Sequence, residues 1–137
     1  MIIVGTSTWS QDVHLAAQDP ITGYENIAYT LHFYAGNHSQ GLRDRATQAM
    51  AGGIPIVVTE WGTFDVTGCT RAVEDETIRW VDYMKENNLI NCNWAIIDID
   101  ECSALEKSVS STGQWTDTDL TAEGIFVREI IRNWESN

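Results

Sequence analysis

PIVVTEWGT, Pro55 to Thr63, decides how this sequence is read. Ile54 to Glu60 is a near-continuous apolar run, the mark of a strand covered on both faces in a parallel sheet. It drives directly into Glu60, between Thr59 and Trp61. A buried carboxylate is costly unless hydrogen-bond donors or an open cleft compensate it. A strand that ends this way is expected to deliver the acid to a place where it is used.

Outward from that stretch, strand and helix patterns alternate. Ile2 to Gly5 is a β-rich run, and Ser10 can cap a short helical turn over Val13, Ala16 and Ala17. Asn26 to Tyr34 is dense in β-branched and aromatic residues, between turn signals at Thr22-Gly23 and Gly36-Asn37. Gln40 to Ala51 has helical periodicity and stops at Gly52-Gly53. Val73 to Asn88 predicts the longest helix, and Asn91 to Ile97 a fourth buried strand. Asp119 to Trp134 predicts a closing helix that starts near Ala122 and turns Ile125, Val127, Ile130 and Ile131 inward.

The order βαβαβαβα implies an α/β fold of parallel strands joined by right-handed crossovers. No glycine-rich phosphate loop follows the first strand, which disfavours a dinucleotide-binding sheet. A (β/α)8 TIM barrel takes eight strands and typically about 250 residues. Four strands in 137 residues make half of one, so a single (β/α)4 half-barrel domain is expected over residues 1–137.

Twenty acidic against eight basic residues give a net charge of −12, which argues against nucleic acid or an anionic membrane as partner. A neutral or cationic ligand fits better. No apolar run approaches the roughly 18 residues of a membrane span, and MIIVGTSTW lacks the charged region and cleavage site of a signal peptide. Cys69, Cys92 and Cys102 match no metal-binding spacing, and their odd number allows at most one disulfide within a monomer. No metal or cofactor is expected.

Barrel enzymes build their sites at the C-terminal ends of the strands. Those ends here carry Thr8-Trp9, His32-Tyr34, Glu60-Trp61, and Trp94 with Asp98 beyond. Indoles and a phenol that can stack on sugar faces, with polar groups to fix hydroxyls, make a carbohydrate-like lining. The motifs TWSQDV, YTLHFYAGNH, PIVVTEWGT and NWAIID, in this order and spacing, resemble the C-terminal half of the glycoside hydrolase family 5 endoglucanases, the bacterial cellulases of the (β/α)8 clan. HFY and TEWG are the most specific parts, and the resemblance covers nearly the whole chain.

The resemblance implies that Glu60 is the nucleophile at the end of barrel strand seven, with His32 and Tyr34 orienting it and the adjacent sugar. It makes Trp94 the platform under the reacting sugar and Trp9 an aromatic contact on the leaving-group side. Retaining glycosidases pair two carboxyl groups about 5 to 5.5 Å apart, one attacking the anomeric carbon and one protonating the leaving oxygen. The family's acid, in an Asn-Glu-Pro motif, and the Arg and His of earlier strands have no counterpart in this sequence. Ile99 also stands where close members usually carry Lys, while Glu101 is retained as a sugar contact.

The expected activity is therefore an endo-β-1,4-glucanase acting by retention on β-1,4-glucan or cello-oligosaccharide, secreted by family resemblance. A half-barrel exposes two sheet edges and an apolar inner face. A two-fold homodimer, with the first and fourth strands pairing across the seam, is expected to close the barrel, and Asp98 or Glu101 of the second copy is a candidate acid. The alternatives are a non-catalytic β-glucan-binding half-barrel and an inactive fragment. His14 and His38 read as solvated, Asp65 as a turn former, Trp80 and Trp134 as helix-face packing, and Trp115 as packing over the last helix.

Overall fold

The computed structural model describes residues 1–67, 72–99, 104–109 and 113–135. Four strands, β1 (Ile2–Val4), β2 (Ile27–Tyr34), β3 (Ile56–Gly62) and β4 (Asn91–Asn93), form one sheet in the order 1-2-3-4 with every neighbour parallel. α1 (Ser7–Ser10) and α2 (Val13–Ala16) join β1 to β2, α3 (Gln40–Ala51) joins β2 to β3, and α4 (Glu74–Glu86) joins β3 to β4. α5 (Ala122–Arg132) follows β4. A doubly wound sheet reverses its strand order at a switch point. This one steps in a single direction, as a segment of a barrel wall does.

The core lies between the sheet and its helices. Tyr29, Leu31 and Phe33 of β2 and Ile56, Val58 and Trp61 of β3 meet Ala46 and Ala49 of α3, Trp80 and Met84 of α4, and Val127 and Ile130 of α5. Phe33 sits at the centre, stacked on Trp80 at 3.9 Å and on Trp61 at 5.9 Å between ring centroids. Arg43, only 4% exposed, lays its guanidinium 5.0 Å over the Trp80 ring and donates to Glu76 Oε1 at 2.5 Å, tying α3 to α4. Burial pushes the Glu76 carboxyl up, but hydrogen bonds from Arg43 and Arg79 outweigh it and hold the group below the usual carboxylate range.

Local chemistry agrees with these elements. α4 opens on Glu74, Asp75 and Glu76 and carries Lys85 in its last turn, complementing the helix dipole. It buries Thr77, Trp80, Val81 and Met84, the face that the periodicity predicts. Thr121 caps α5 by accepting from the Gly124 N–H at 3.0 Å.

Three expectations are corrected. β4 ends at Asn93 instead of running to Ile97; the Trp94 N–H still donates to the Trp61 carbonyl, but Ile96 is 72% exposed. Among the described residues no further strand lies beyond β4, and the Ala95 and Ile97 carbonyls accept instead from the Ala104 and Leu105 N–H groups, each at 3.1 Å. On α5, Val127 and Ile130 are buried but Ile125 and Ile131 are not, because the helix has an element to cover on one side only. Ser10 caps nothing: Asp12 precedes α2, and Ser10 belongs to a left-handed turn. No helix among the described residues is long and apolar enough to cross a membrane.

Candidate active site

Strict alternation would put Val58 and Glu60 on one face of β3 and Thr59 and Trp61 on the other. Pairing with β2 breaks that rule. Leu31 stands opposite Val58 and His32 opposite Glu60, which leaves Thr59 as an extra residue in a bulge. Val58 and Trp61 both remain in the helix-side core. Thr59 and Glu60 both turn to the inner face, where Thr30, His32 and Tyr34 meet them.

There the Tyr34 hydroxyl donates to Glu60 Oε1 at 2.5 Å, and His32 Nδ1 lies 3.8 Å from Oε2. The other ring nitrogen of His32, Nε2, is 2.8 Å from Thr59 Oγ1, and the Thr59 and Thr30 hydroxyls are hydrogen-bonded to each other. Burial, reinforced by the hydrogen bond to Glu60 and its charge, pushes the Tyr34 phenol well above its ordinary range, so it stays a donor. Its reach depends on Gly62, its partner across the strands. A Cβ on Gly62 would lie 2.6 Å from Tyr34 Cε1, so only glycine lets the ring cross β3.

The segment after β2 completes the wall. The Tyr34 N–H donates to His38 Nδ1 at 2.9 Å, and the His38 carbonyl accepts from Trp80 Nε1 at 2.7 Å. Burial lowers the pKa of the His38 imidazole, which favours the neutral ring with its proton on Nε2. His38 is thus half-buried in the cleft wall and His14 half-buried on α2, neither of them simply solvated. Asp65 is the turn former expected, accepting from the Thr67 N–H at 2.8 Å and the Thr67 hydroxyl at 2.6 Å.

At the opposite rim, Thr8, Trp9 and Ser10 all have left-handed backbone, with φ of 54, 51 and 62°. Each such non-glycine residue costs roughly 1–3 kcal/mol and persists only where its surroundings hold it. Asp12 does so: its Oδ2 accepts from Thr8 Oγ1 at 2.5 Å and Ser7 Oγ at 3.3 Å, and its Oδ1 pairs with Arg45 of α3 at 3.0 Å. The Thr8 hydrogen bond, first among these, holds the Asp12 carboxyl below its usual range. The turn presents the Trp9 indole 84% exposed.

Trp9, His32, Tyr34 and Glu60 therefore line one cleft of about 670 Å³, with Ser10 and His38. Trp94 is not in that lining. It sits 46% exposed at the end of β4, beside a smaller cavity bordered by Thr63 and Glu123. Asp98 is exposed in the irregular segment after β4, and Glu101, like Cys69 and Cys102, lies outside the described residues. Cys92 is a free, exposed thiol. Sequence reasoning missed Thr30, Thr59, Gly62 and Asp12. Only Asp12, four residues from Thr8 in a polar turn, carried a local signal.

A singly wound parallel sheet with an acid, two hydrogen-bonding rings and an exposed indole around one cleft at its strand ends is a segment of a (β/α)8 barrel wall with its candidate site at the rim. The family model "Cellulase (glycosyl hydrolase family 5)" matches residues 1–99, and the chain belongs to that family. It is 55% identical over 132 residues to an endoglucanase of Clostridium saccharobutylicum, covering 96% of this chain and 29% of that relative. A solved structure from Cytophaga hutchinsonii superposes with a TM-score of 0.92 at 44% identity, covering 96% of this chain and 43% of that one. The catalytic domain of Thermobifida fusca endoglucanase Cel5A, in complex with cellotetraose, superposes with a TM-score of 0.86 at 28% identity, over 96% of this chain and 45% of that one. The chain thus spans less than a third of that curated relative and under half of those solved chains.

Proposed function

We propose that these residues form the nucleophile-bearing half of a secreted endo-β-1,4-glucanase that cleaves β-1,4-glucan with retention. The observation that carries the reading is the placement of Glu60, turned into the cleft by the bulge and held by the Tyr34 hydroxyl at 2.5 Å. Glu60 attacks the anomeric carbon. Tyr34 and His32 fix its rotamer, and Trp9 stacks on a sugar of the leaving-group side. Trp94 supports the reacting sugar from the end of β4. A relative in the same family holds cellotetraose, which supports a β-1,4-glucan as substrate.

Turnover of an unactivated glucan needs a second carboxyl, about 5 to 5.5 Å from the first, to protonate the leaving oxygen. An activated 2,4-dinitrophenyl 2-deoxy-2-fluoro-cellobioside does not, because dinitrophenolate departs unprotonated. The carboxylate of Glu60 then forms an ester with C1 and the C1–O bond to the aryl oxygen breaks. Intact mass should rise by one fluoroglycosyl unit, mapped to the peptide containing Glu60, and Glu60→Gln should abolish the adduct. Labelling elsewhere, or labelling that survives Glu60→Gln, would refute the assignment.

We further propose that the 137 residues, as one (β/α)4 unit, self-associate when they stand alone. β1 and β4 are the sheet edges among the described residues, and Ile2, Ile3, Ile96 and Ile131 lie exposed on or near them. A two-fold dimer pairing β1 with β4 of the second copy covers both edges and brings the partner's Asp98 toward the place of the missing acid. Light scattering should give twice the chain mass at micromolar concentration; a stable monomer refutes the arrangement.

A further inference from the structure

We infer that Thr59 and Thr30 are positioning residues that, together with the Glu60 carboxylate, hold the neutral His32 ring in the Nδ1–H tautomer, so that an N–H, and not a lone pair, faces Glu60. The inference rests on the reading of Glu60 as the ionised member of the catalytic pair.

The argument follows from what each group can donate. An ionised carboxylate accepts only. His32 Nδ1 is the ring atom beside Glu60, 3.8 Å from Oε2, so a proton on Nδ1 points positive charge at the carboxylate and a lone pair there points negative charge. With the proton on Nδ1, Nε2 must accept. Its partner at 2.8 Å is the Thr59 hydroxyl, which therefore donates, leaving its oxygen to accept from Thr30. One direction runs through the whole line: Thr30 to Thr59, Thr59 to His32, and the Nδ1–H toward Glu60.

The reverse line is geometrically available but electrostatically opposed. Nε2–H would donate to Thr59, Thr59 to Thr30, and an unprotonated Nδ1 would face the acid. Free imidazole rings of histidine favour the Nε2–H tautomer, so Nδ1–H requires an external cause. The protein supplies two, the carboxylate on one side and a hydroxyl able to donate on the other. Thr30 is 6% exposed, so little water competes for its hydroxyl, and Thr59 is half-buried beside it. The bulge thereby has a second consequence: the residue it inserts beside Glu60 is the one that reaches Nε2.

His38 provides an internal contrast. Its Nδ1 accepts from the Tyr34 N–H, so its neutral ring carries the proton on Nε2. Two histidines of one cleft wall therefore hold opposite tautomers, each dictated by a neighbour that cannot reverse its role.

The test uses the chain labelled with ¹⁵N-histidine and long-range ¹H–¹⁵N correlation at about pH 8.5, where an ordinary imidazole is neutral. The chain has three histidines, so the His32→Gln variant identifies the His32 signals by their disappearance. His32 should show a protonated Nδ1 and an unprotonated Nε2, with the opposite pattern at His38. Thr59→Val, which removes the hydroxyl at constant shape, should move His32 to the Nε2–H pattern or to a mixture of both. Glu60→Leu should do the same. An Nε2–H ring in the unmodified chain, a ring protonated on both nitrogens at that pH, or a tautomer unchanged in Thr59→Val overturns the inference. If Thr59→Val does not fold, the unmodified chain and Thr30→Val, expected to shift the ring only partly, decide it. The readout needs no turnover, so its failure is separate from a failure of Glu60 to take the glycosyl label.

Discussion

Gly62→Ala is the sharpest perturbation of the site. The glycine lies under the Tyr34 ring, and an added Cβ would be 2.6 Å from Cε1, whereas ordinary contact begins at 3.4 Å. The ring must retreat by at least about 0.8 Å, the difference of those two distances. Phe64, tilted against it at 5.1 Å, restricts where it can go. A displacement of that size disrupts the 2.5 Å Tyr34–Glu60 hydrogen bond. Hydrogen bonds to charged groups are worth roughly 1.5–3 kcal/mol, so labelling of Glu60 by the fluoroglycoside should slow by about 10- to 150-fold. Ultraviolet titration provides a second measurement. The Tyr34 phenol, held up by burial first and by Glu60 next, should titrate at lower pH in Gly62→Ala and in Glu60→Gln. A variant that melts normally, labels at the original rate and leaves the phenol titration in place would refute the close-approach argument.

Other predictions concern stability and binding. Arg43→Ala strands Glu76 without its main partner and should cost about 3–5 kcal/mol in denaturant unfolding, the scale of a broken buried pair. The lowered pKa of Glu76 means that its contribution is complete above the unfolded carboxylate value and is lost as pH falls through the folded one. Stability should therefore drop on acidification through that range, and less steeply in Glu76→Gln. Trp80→Ala removes an indole with no exposure from between Phe33 and Arg43 and should cost about 3–5 kcal/mol. Trp9→Ala should leave thermal stability nearly unchanged, since the ring is 84% exposed, while weakening cellotetraose binding by roughly fivefold, about 1 kcal/mol of stacking. Tryptophan fluorescence titration measures that change.

Much of this chain is legible one residue at a time. Helix α3 begins and ends where periodicity and Gly52-Gly53 place it, and α4 buries the Thr77, Trp80, Val81 and Met84 face that its spacing demands. The four parallel strands follow from the alternation of apolar runs and helices. Errors gather where the sheet has an open side. The apolar run after Asn93 has strand composition but meets only the Ala104 and Leu105 N–H groups and no further strand among the described residues, and Ile125 and Ile131 have helix-core spacing but stay exposed. Burial depends on what stands opposite, and a single element's pattern does not contain that.

The site divides in the same way. The residue types at the strand ends are sequence properties: a Glu after an apolar strand, HFY one strand earlier, an indole after the first strand. Their convergence is not. Read by alternation, Glu60 shares a face with Val58 and would enter the helix-side core. The extra residue opposite β2 rotates it to the inner face and returns Trp61 to the core beside Phe33. A bulge belongs to a pair of strands and not to either alone, so only tertiary structure could decide which way the carboxylate of PIVVTEWGT points.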